Sequence, residues 1–512
     1  MPAEMQHRQC YRRKMMNTGT AIALGAYFIA MLAVGIYAYR RSSPDLEGFV
    51  LGGRKMGPAV TALSAGASDM SGWMLMGLPG AMFLAGLGSA WIGLGLTVGA
   101  YVNYRILAPR LRIYTELAGN ALTLPEFIEN RFEDKSHQLR LLSSLVIVIF
   151  FTLYTSAGVV AGGKLFESSL GLSYDMGLIV TAGVVVMYTM FGGFLAVSLT
   201  DFLQGIIMLL ALVILPAVAV FELGGPLQTL DKIEALNPLL LDAFTTTSGL
   251  AIVSSLAWGL GYFGQPHILV RFMAIRSAAD LPTARRIGIS WMTISLLGAM
   301  ATGLTGAAYL SAAGIELKDP ETIFMVLSQL LFHPLVAGFL LAAILAAIMS
   351  TLSSQLLVTS SSLTEDFYRT FFHRQASARQ QLLVGRLSVA LVAVIAVLLA
   401  TDRSSSILSL VSNAWAGFGA AFGPLLLLSL YWRKMNRFGA LASMITGAIT
   451  VLLWIYLPID ASGQTLSATL YEMVPGFILS LLAAIVVSKL TAAPSAAIDR
   501  QFSEMLALCR QR

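Results

Sequence analysis

Charge is what this sequence has least of. Asp, Glu, Lys and Arg make up 12% of it, against roughly 25% in a soluble protein. The deficit runs along the whole chain, while 57% of the residues are hydrophobic, so the chain reads as a polytopic membrane protein. Cysteine is nearly absent. Cys10 and Cys509 stand in opposite tails, which excludes a disulfide framework and a cysteine metal site. The five histidines show no ligand spacing. No GxxxxGK(S/T) loop occurs, so nucleotide hydrolysis by that route is excluded. The net charge of +6 comes without a basic stripe interleaved with aromatics, and nucleic acid is not an expected partner. No polar stretch is long enough to form a separate soluble domain.

What is abundant is long apolar runs. About thirteen have the length a bilayer requires. They cover roughly 19–38, 58–82, 87–108, 141–164, 173–191, 199–221, 249–273, 287–312, 334–358, 386–401, 407–431, 439–457 and 473–489. With the first tail outside and loops alternating, the inner segments near 39–57, 105–140, 271–286, 369–386, 433–437 and 489–512 hold 25 of the 33 Lys and Arg. The outer loops hold only Lys164, Lys232, Lys318 and Arg403. That asymmetry predicts an outer N-terminus and a cytoplasmic C-terminus in the cell membrane. Arg8, Arg12, Arg13 and Lys14 dissent. Residues 1–18 are read as an N-terminal tail with a mis-assigned start, the true start being expected at Met15 or Met16. The first span is too long for a signal peptide. Thr123-Leu124-Pro125-Glu126 fits a capping box and predicts a short cytoplasmic helix to about Arg131.

Two spans are interrupted. Ser64–Trp73 reads SAGASDMSGW, and Asp69 at membrane depth marks a site. Ala257–His267 carries three glycines and a proline, which break a helix. Free backbone groups in a bilayer must line protein or a wet cavity. The breaks fall in spans 2 and 7. If spans 2–6 and 7–11 are repeats, an odd number of spans makes them inverted, and matched breaks point to a transporter's binding site. Plain packing is the competing explanation of the glycines. A third polar cluster, Ala347–Gln355, puts Ala347, Ser350 and Thr351 on one helix face. Such oxygens suit a hard cation, and equally suit bonding to i−4 carbonyls.

These residues carry a family resemblance. Leu51–Arg54, Ala62–Trp73, Ala121–Glu126, Arg131-Phe132, Gly192–Asp201, Trp258–Arg271 and Trp415–Pro424 resemble the sodium:solute symporter family, over about Thr20 to Leu490. The two interrupted segments are more similar to its proline branch than to its pantothenate, acetate or sugar branches. The resemblance implies an all-α, LeuT-like core of five plus five helices, with one helix before it and two after. The divisions that follow are a tail 1–18, a first helix and loop 19–57, repeats 58–223 and 224–431, two further helices 432–489 and a cytoplasmic tail 490–512.

It also implies sodium-coupled import of L-proline by alternating access, with no covalent chemistry. The implied sodium ligands are the carbonyls of Ala67, Met70 and Ala347 and the hydroxyls of Ser350 and Thr351. Asp69 would govern sodium affinity, with Ser71 and Gly72 lining the path beside it. Tyr154, Trp258, Tyr262 and Pro266 would hold the substrate. Arg54 reads as a positive-inside residue, and the resemblance adds a role in coupling. Asp201 reads as a helix cap or a transient sodium contact, and His267 as a hydrogen-bonded structural residue. Sodium, proline and the bilayer are the expected partners, with no obligate protein partner. The alternatives are another small amino or carboxylic acid, a proton in place of sodium, or a proline sensor without flux.

Overall fold

The computed structural model describes residues 18–41, 46–245, 247–373, 375–458 and 464–511. The tail expected before residue 18, with Cys10, Met15 and Met16, lies outside them. The described chain is nearly all helix. The helices are α1 Thr18–Arg41, α2 Pro58–Asp69, α3 Leu78–Ala85, α4 Ala90–Val102, α5 Ala108–Leu117, α6 Leu124–Arg131 and α7 Gln138–Leu170. Next come α8 Tyr174–Glu222, α9 Pro226–Leu236, α10 Gly249–Leu256, α11 Pro266–Ala274, α12 Leu281–Ala312, α13 Ile323–Leu331 and α14 Pro334–Ser361. The last are α15 Ala378–Leu399, α16 Ile407–Tyr431, α17 Arg437–Tyr456, α18 Met473–Leu490 and α19 Ala496–Arg510.

Ten stretches among the described residues are long and apolar enough to cross a membrane. The chain is a multi-pass membrane protein. The expected figure of thirteen is not reproduced as thirteen separate long helices. Spans 2 and 3 share one apolar run, Trp73–Leu117, while Tyr174–Met187 and Gly249–Phe263 are short. Spans 5 and 6 appear as one helix, α8, split where Gly193 takes φ 60° and ψ −177°. A side chain disfavours that conformation, and glycine does not.

Burial sorts the helices. α7, α14 and α16 are mostly buried, and α14 packs on α1, α7 and α8. α1, α15 and α18 turn Ile29, Leu391, Leu398 and Leu490 outward, as a lipid-facing surface does. Backbones approach closely at glycines. A Cβ on Gly99 would lie 2.2 Å from the carbonyl oxygen of Gly259, where α4 crosses the second break.

Both expected interruptions are present. α2 stops at Asp69, and Met70 leaves the helix with ψ 71°. The chain resumes as a π-turn, Trp73–Gly77, that runs into α3. α10 gives way to a 3-10 turn, Ala257–Phe263, and Gln265 is extended before Pro266 opens α11 at its first turn. The expected short helix is α6. The Thr123 hydroxyl accepts from Glu126 N–H at 3.1 Å, but Glu126 accepts from Leu122 N–H at 2.8 Å rather than closing the box on Thr123.

Candidate cation and substrate site

The break in α2 releases carbonyls. Met70 N–H still bonds Gly66 O at 2.9 Å, but Ser71 N–H turns back to Asp69 O and Met74 N–H to Ser71 O. The carbonyls of Ala67 and Met70 thereby lose the N–H groups a continuous helix would give them. α14 answers the first of them. Ser350 Oγ donates to Ala67 O at 2.7 Å and also lies 3.1 Å from Ala347 O, while Thr351 Oγ1 is 3.4 Å from Ala67 O. Four of the five expected ligand residues therefore converge. Met70 sits at the break, fully buried, and makes no hydrogen bond to the α14 hydroxyls. The hydroxyls are not used up on their own i−4 carbonyls.

Asp69 faces away from this cluster. Its carbonyl accepts from Trp73 Nε1 and Tyr154 Oη, both at 3.3 Å, and its Oδ2 accepts from Tyr262 Oη. Ser71 is buried beside it, its Oγ 3.4 Å from Trp73 N–H. Gly72 fits where α7 and α14 close on the break: a Cβ there would lie 2.9 Å from Ala161 Cβ and 3.3 Å from Ile348.

The aromatic residues form a linked group around the second break. Tyr262 packs edge-on against Trp415 at 5.1 Å, and Trp258 stacks on Tyr471 at 5.6 Å and leans on Trp73 at 6.0 Å. Trp415 Nε1 donates to Trp258 O at 2.7 Å, pinning the unwound turn to α16. Gly261 admits that indole; a Cβ there would lie 1.9 Å from Trp415 Nε1. Tyr154 on α7 is hydrogen-bonded to the first break and meets the second through the ring of His267. Pro266 is set apart, lining a second cavity with Thr123, Phe194 and Ser361.

Charged residues depart most from expectation. Arg54 is not an exposed loop cation. It is buried, donating to Asn120 Oδ1, Met273 O and Ala121 O at 3.0, 2.7 and 2.8 Å. Beside it Met56 and Ile275 form a parallel bridge, so the segments flanking the two broken helices are tied together. Asp201 does not cap a helix start. It lies within α8, fully buried, and pairs with Arg271 on α11 at 3.1 Å. Arg271 also reaches Ser64 at 3.1 Å and Ser354 at 2.5 Å. His267 makes no side-chain hydrogen bond. Its ring packs edge-on against Phe151 and Tyr154.

The Sodium:solute symporter family model matches residues 49–447, which include every residue of this site except Tyr471. The chain belongs to the sodium:solute symporter family. It is 58% identical over 497 residues to the osmoregulated proline transporter OpuE of Bacillus subtilis, covering 97% of this chain and all of that one. It is 53% identical over 501 residues to a sodium/proline symporter of Staphylococcus aureus, covering 97% of each. In structure it resembles a Na+-coupled sialic acid symporter in a substrate-bound outward-open state, with a TM-score of 0.78 and 18% identity over 94% of this chain and 99% of that one. Mhp1, a nucleobase-cation-symport-1 transporter, gives a TM-score of 0.51 at 14% identity, over 88% and 97%. The fold is LeuT-like.

In this member of the family, sequence reasoning missed Trp73, Tyr471 and Arg271 as parts of the site. Arg271 had been counted among the inner-loop cations. Its place only a few residues beyond Pro266, within the second interrupted span, was the available signal. Tyr471 carried none, because only folding brings the loop before α18 onto Trp258.

Proposed function

We propose that the protein is a sodium-driven importer of L-proline. The observation that carries this is the convergence of Ala67 O, Ala347 O, Ser350 and Thr351 at a helix break, in a chain of this family. Oxygen ligands, two of them backbone carbonyls and two hydroxyls, suit a hard monovalent cation. The two relatives above are named as proline transporters. Sodium would sit between the carbonyls of Ala67, Met70 and Ala347 and the hydroxyls of Ser350 and Thr351. Met70 needs only to turn its freed carbonyl inward.

The substrate would lie among Tyr154, Trp258 and Tyr262, next to the same break. A small zwitterion with an apolar ring needs aromatic walls and a few polar groups. Pro266 would take part by opening α11, whose N-terminus favours a carboxylate. Asp69, Ser71 and Gly72 would set sodium affinity. Arg54 and Asp201 would couple the two broken helices on the cytoplasmic side. The asymmetry of Lys and Arg supports an outer N-terminus and a cytoplasmic C-terminus. Repeats at 58–223 and 224–431, the latter counted with its preceding outer loop, would each open on a broken helix.

Sodium bound at the break favours the arrangement that binds substrate, which is positive coupling between neighbouring sites. One charge crossing about 100 mV supplies about 2.3 kcal/mol. A tenfold gradient adds about 1.4 kcal/mol. Together these sustain accumulation of several-hundred-fold, so one sodium per proline suffices energetically. The test is uptake of labelled proline by proteoliposomes holding the purified protein. Uptake should follow an imposed inward sodium gradient; uptake that ignores sodium and follows a proton gradient overturns the reading.

A further inference from the structure

The face of the α2 break turned away from Ser350 and Thr351 lines a cavity of its own. Asp69, Asn103, Tyr104 and Tyr262 bring polar atoms to it, and Ile268 and Met292 help close it. It has room for about one water-sized occupant. Asn103 opens a π-turn, Asn103–Leu107, between α4 and α5, a distortion that recurs at functional positions in helices.

Every polar residue facing this space is fully buried, and most of the polar atoms make no hydrogen bond. Asp69 Oδ1, both amide atoms of Asn103 and Tyr104 Oη lack one. Buried polar groups in native proteins are ordinarily satisfied, so four such atoms around one cavity imply an occupant. No cationic side chain pairs with Asp69 among the described residues, whereas two other buried acids have one. Asp201 pairs with Arg271, and Glu321 pairs with Lys164 at 2.7 Å. A buried carboxylate is costly without a compensating charge. The oxygens of Asp69, Asn103, Tyr104 and Tyr262 form a donor set of the kind hard cations prefer.

We propose that this cavity binds a second sodium ion, held by Asp69, Asn103, Tyr104 and Tyr262. The proposal rests on the sodium-coupled reading above but concerns a separate place on the opposite side of the broken helix. It gives Asp69 a direct contact with an ion and makes the Tyr262 hydroxyl common to this ion and the substrate group.

The test is equilibrium binding of labelled sodium to the purified protein in nanodiscs, without proline, with size-exclusion profiles to report folding. The wild type should saturate at two ions per chain. Asn103→Leu and, independently, Tyr104→Phe should each bind one. Asn103→Asp should again bind two, and a Ser350→Ala/Thr351→Ala double variant should keep one. A single ion per wild-type chain, or two ions in well-folded Asn103→Leu and Tyr104→Phe, overturns the second site. These outcomes are separable from the transport reading. A single ion with intact sodium-driven proline uptake removes only this site; two ions without proline uptake leaves the site and removes the substrate.

Discussion

Ser350 Oγ donates to the carbonyl oxygen of Ala67 at 2.7 Å, across 283 positions of sequence. That bond joins the break in α2 to the middle of α14, and Thr351 stands beside it. A carbonyl freed from its helix and two hydroxyls are thereby fixed in one place. Ser350→Ala and Thr351→Ala should each raise the sodium concentration for half-maximal uptake. Losing one oxygen partner of a buried group costs about 1–3 kcal/mol, or roughly five- to 150-fold in affinity. Thr351→Ser, which keeps the hydroxyl, should stay near wild type. Sodium-activation curves in proteoliposomes read both.

The roles proposed for Asp69 and Trp258 separate ion from substrate. Asp69→Asn should weaken sodium activation strongly while leaving the proline constant at saturating sodium little changed. Trp258→Ala should do the reverse, raising the proline constant about tenfold or more, as loss of a large aromatic wall costs several kcal/mol. Uptake measured over a grid of sodium and proline concentrations distinguishes them. Equal loss of both constants in either variant removes its assignment.

Arg271 and Asp201 form a buried pair whose members depend on each other. Removing one partner leaves an uncompensated charge and costs about 3–5 kcal/mol. Arg271→Met should therefore lower the yield and thermal stability of folded protein sharply. The double variant Arg271→Met/Asp201→Asn should recover much of that stability, because no lone charge remains. Thermal unfolding in detergent reads the difference.

Gly72 and Gly261 fit where nothing larger does. Gly261→Ala puts a Cβ 1.9 Å from Trp415 Nε1 and must displace the indole from Trp258 O. Gly72→Ala meets Ala161 at 2.9 Å. Overpacking of this kind typically costs about 1–3 kcal/mol. Gly261→Ala should cost the more and also raise the proline constant, which thermal stability and uptake kinetics together would show.

Asp134, in the polar loop between α6 and α7, gives a pH signature. Burial alone would raise its carboxyl. The N–H groups of Leu139 and Ser136, the Ser136 hydroxyl and Arg437 outweigh that and hold it below the usual carboxylate range. A carboxyl lowered on folding stabilises the folded state above its unfolded value and stops doing so as pH falls through the folded one. The stability gap between wild type and Asp134→Asn should thus be full at neutral pH. It should close as pH drops below about 3.9, the ordinary Asp value.

The sequence by itself determined much of the fold. Low charge and long apolar runs are the direct imprint of a bilayer, and helix breaks announce themselves through Gly, Pro and an intruding Asp. The α14 face was legible because helical periodicity places Ala347, Ser350 and Thr351 together without any tertiary information. What the tertiary structure decided is which groups meet. Nothing local distinguishes Arg54 from a loop cation, and only nearness to Pro266 sets Arg271 apart, yet packing buries both and gives each its partners from distant segments. Asp201 becomes half of an ion pair only when folding brings Arg271 of α11 within reach of α8. The orientation of Asp69 is of the same kind: its carbonyl meets Tyr154 and its carboxylate Tyr262, because a broken helix presents two faces and only its neighbours fix which group each face receives.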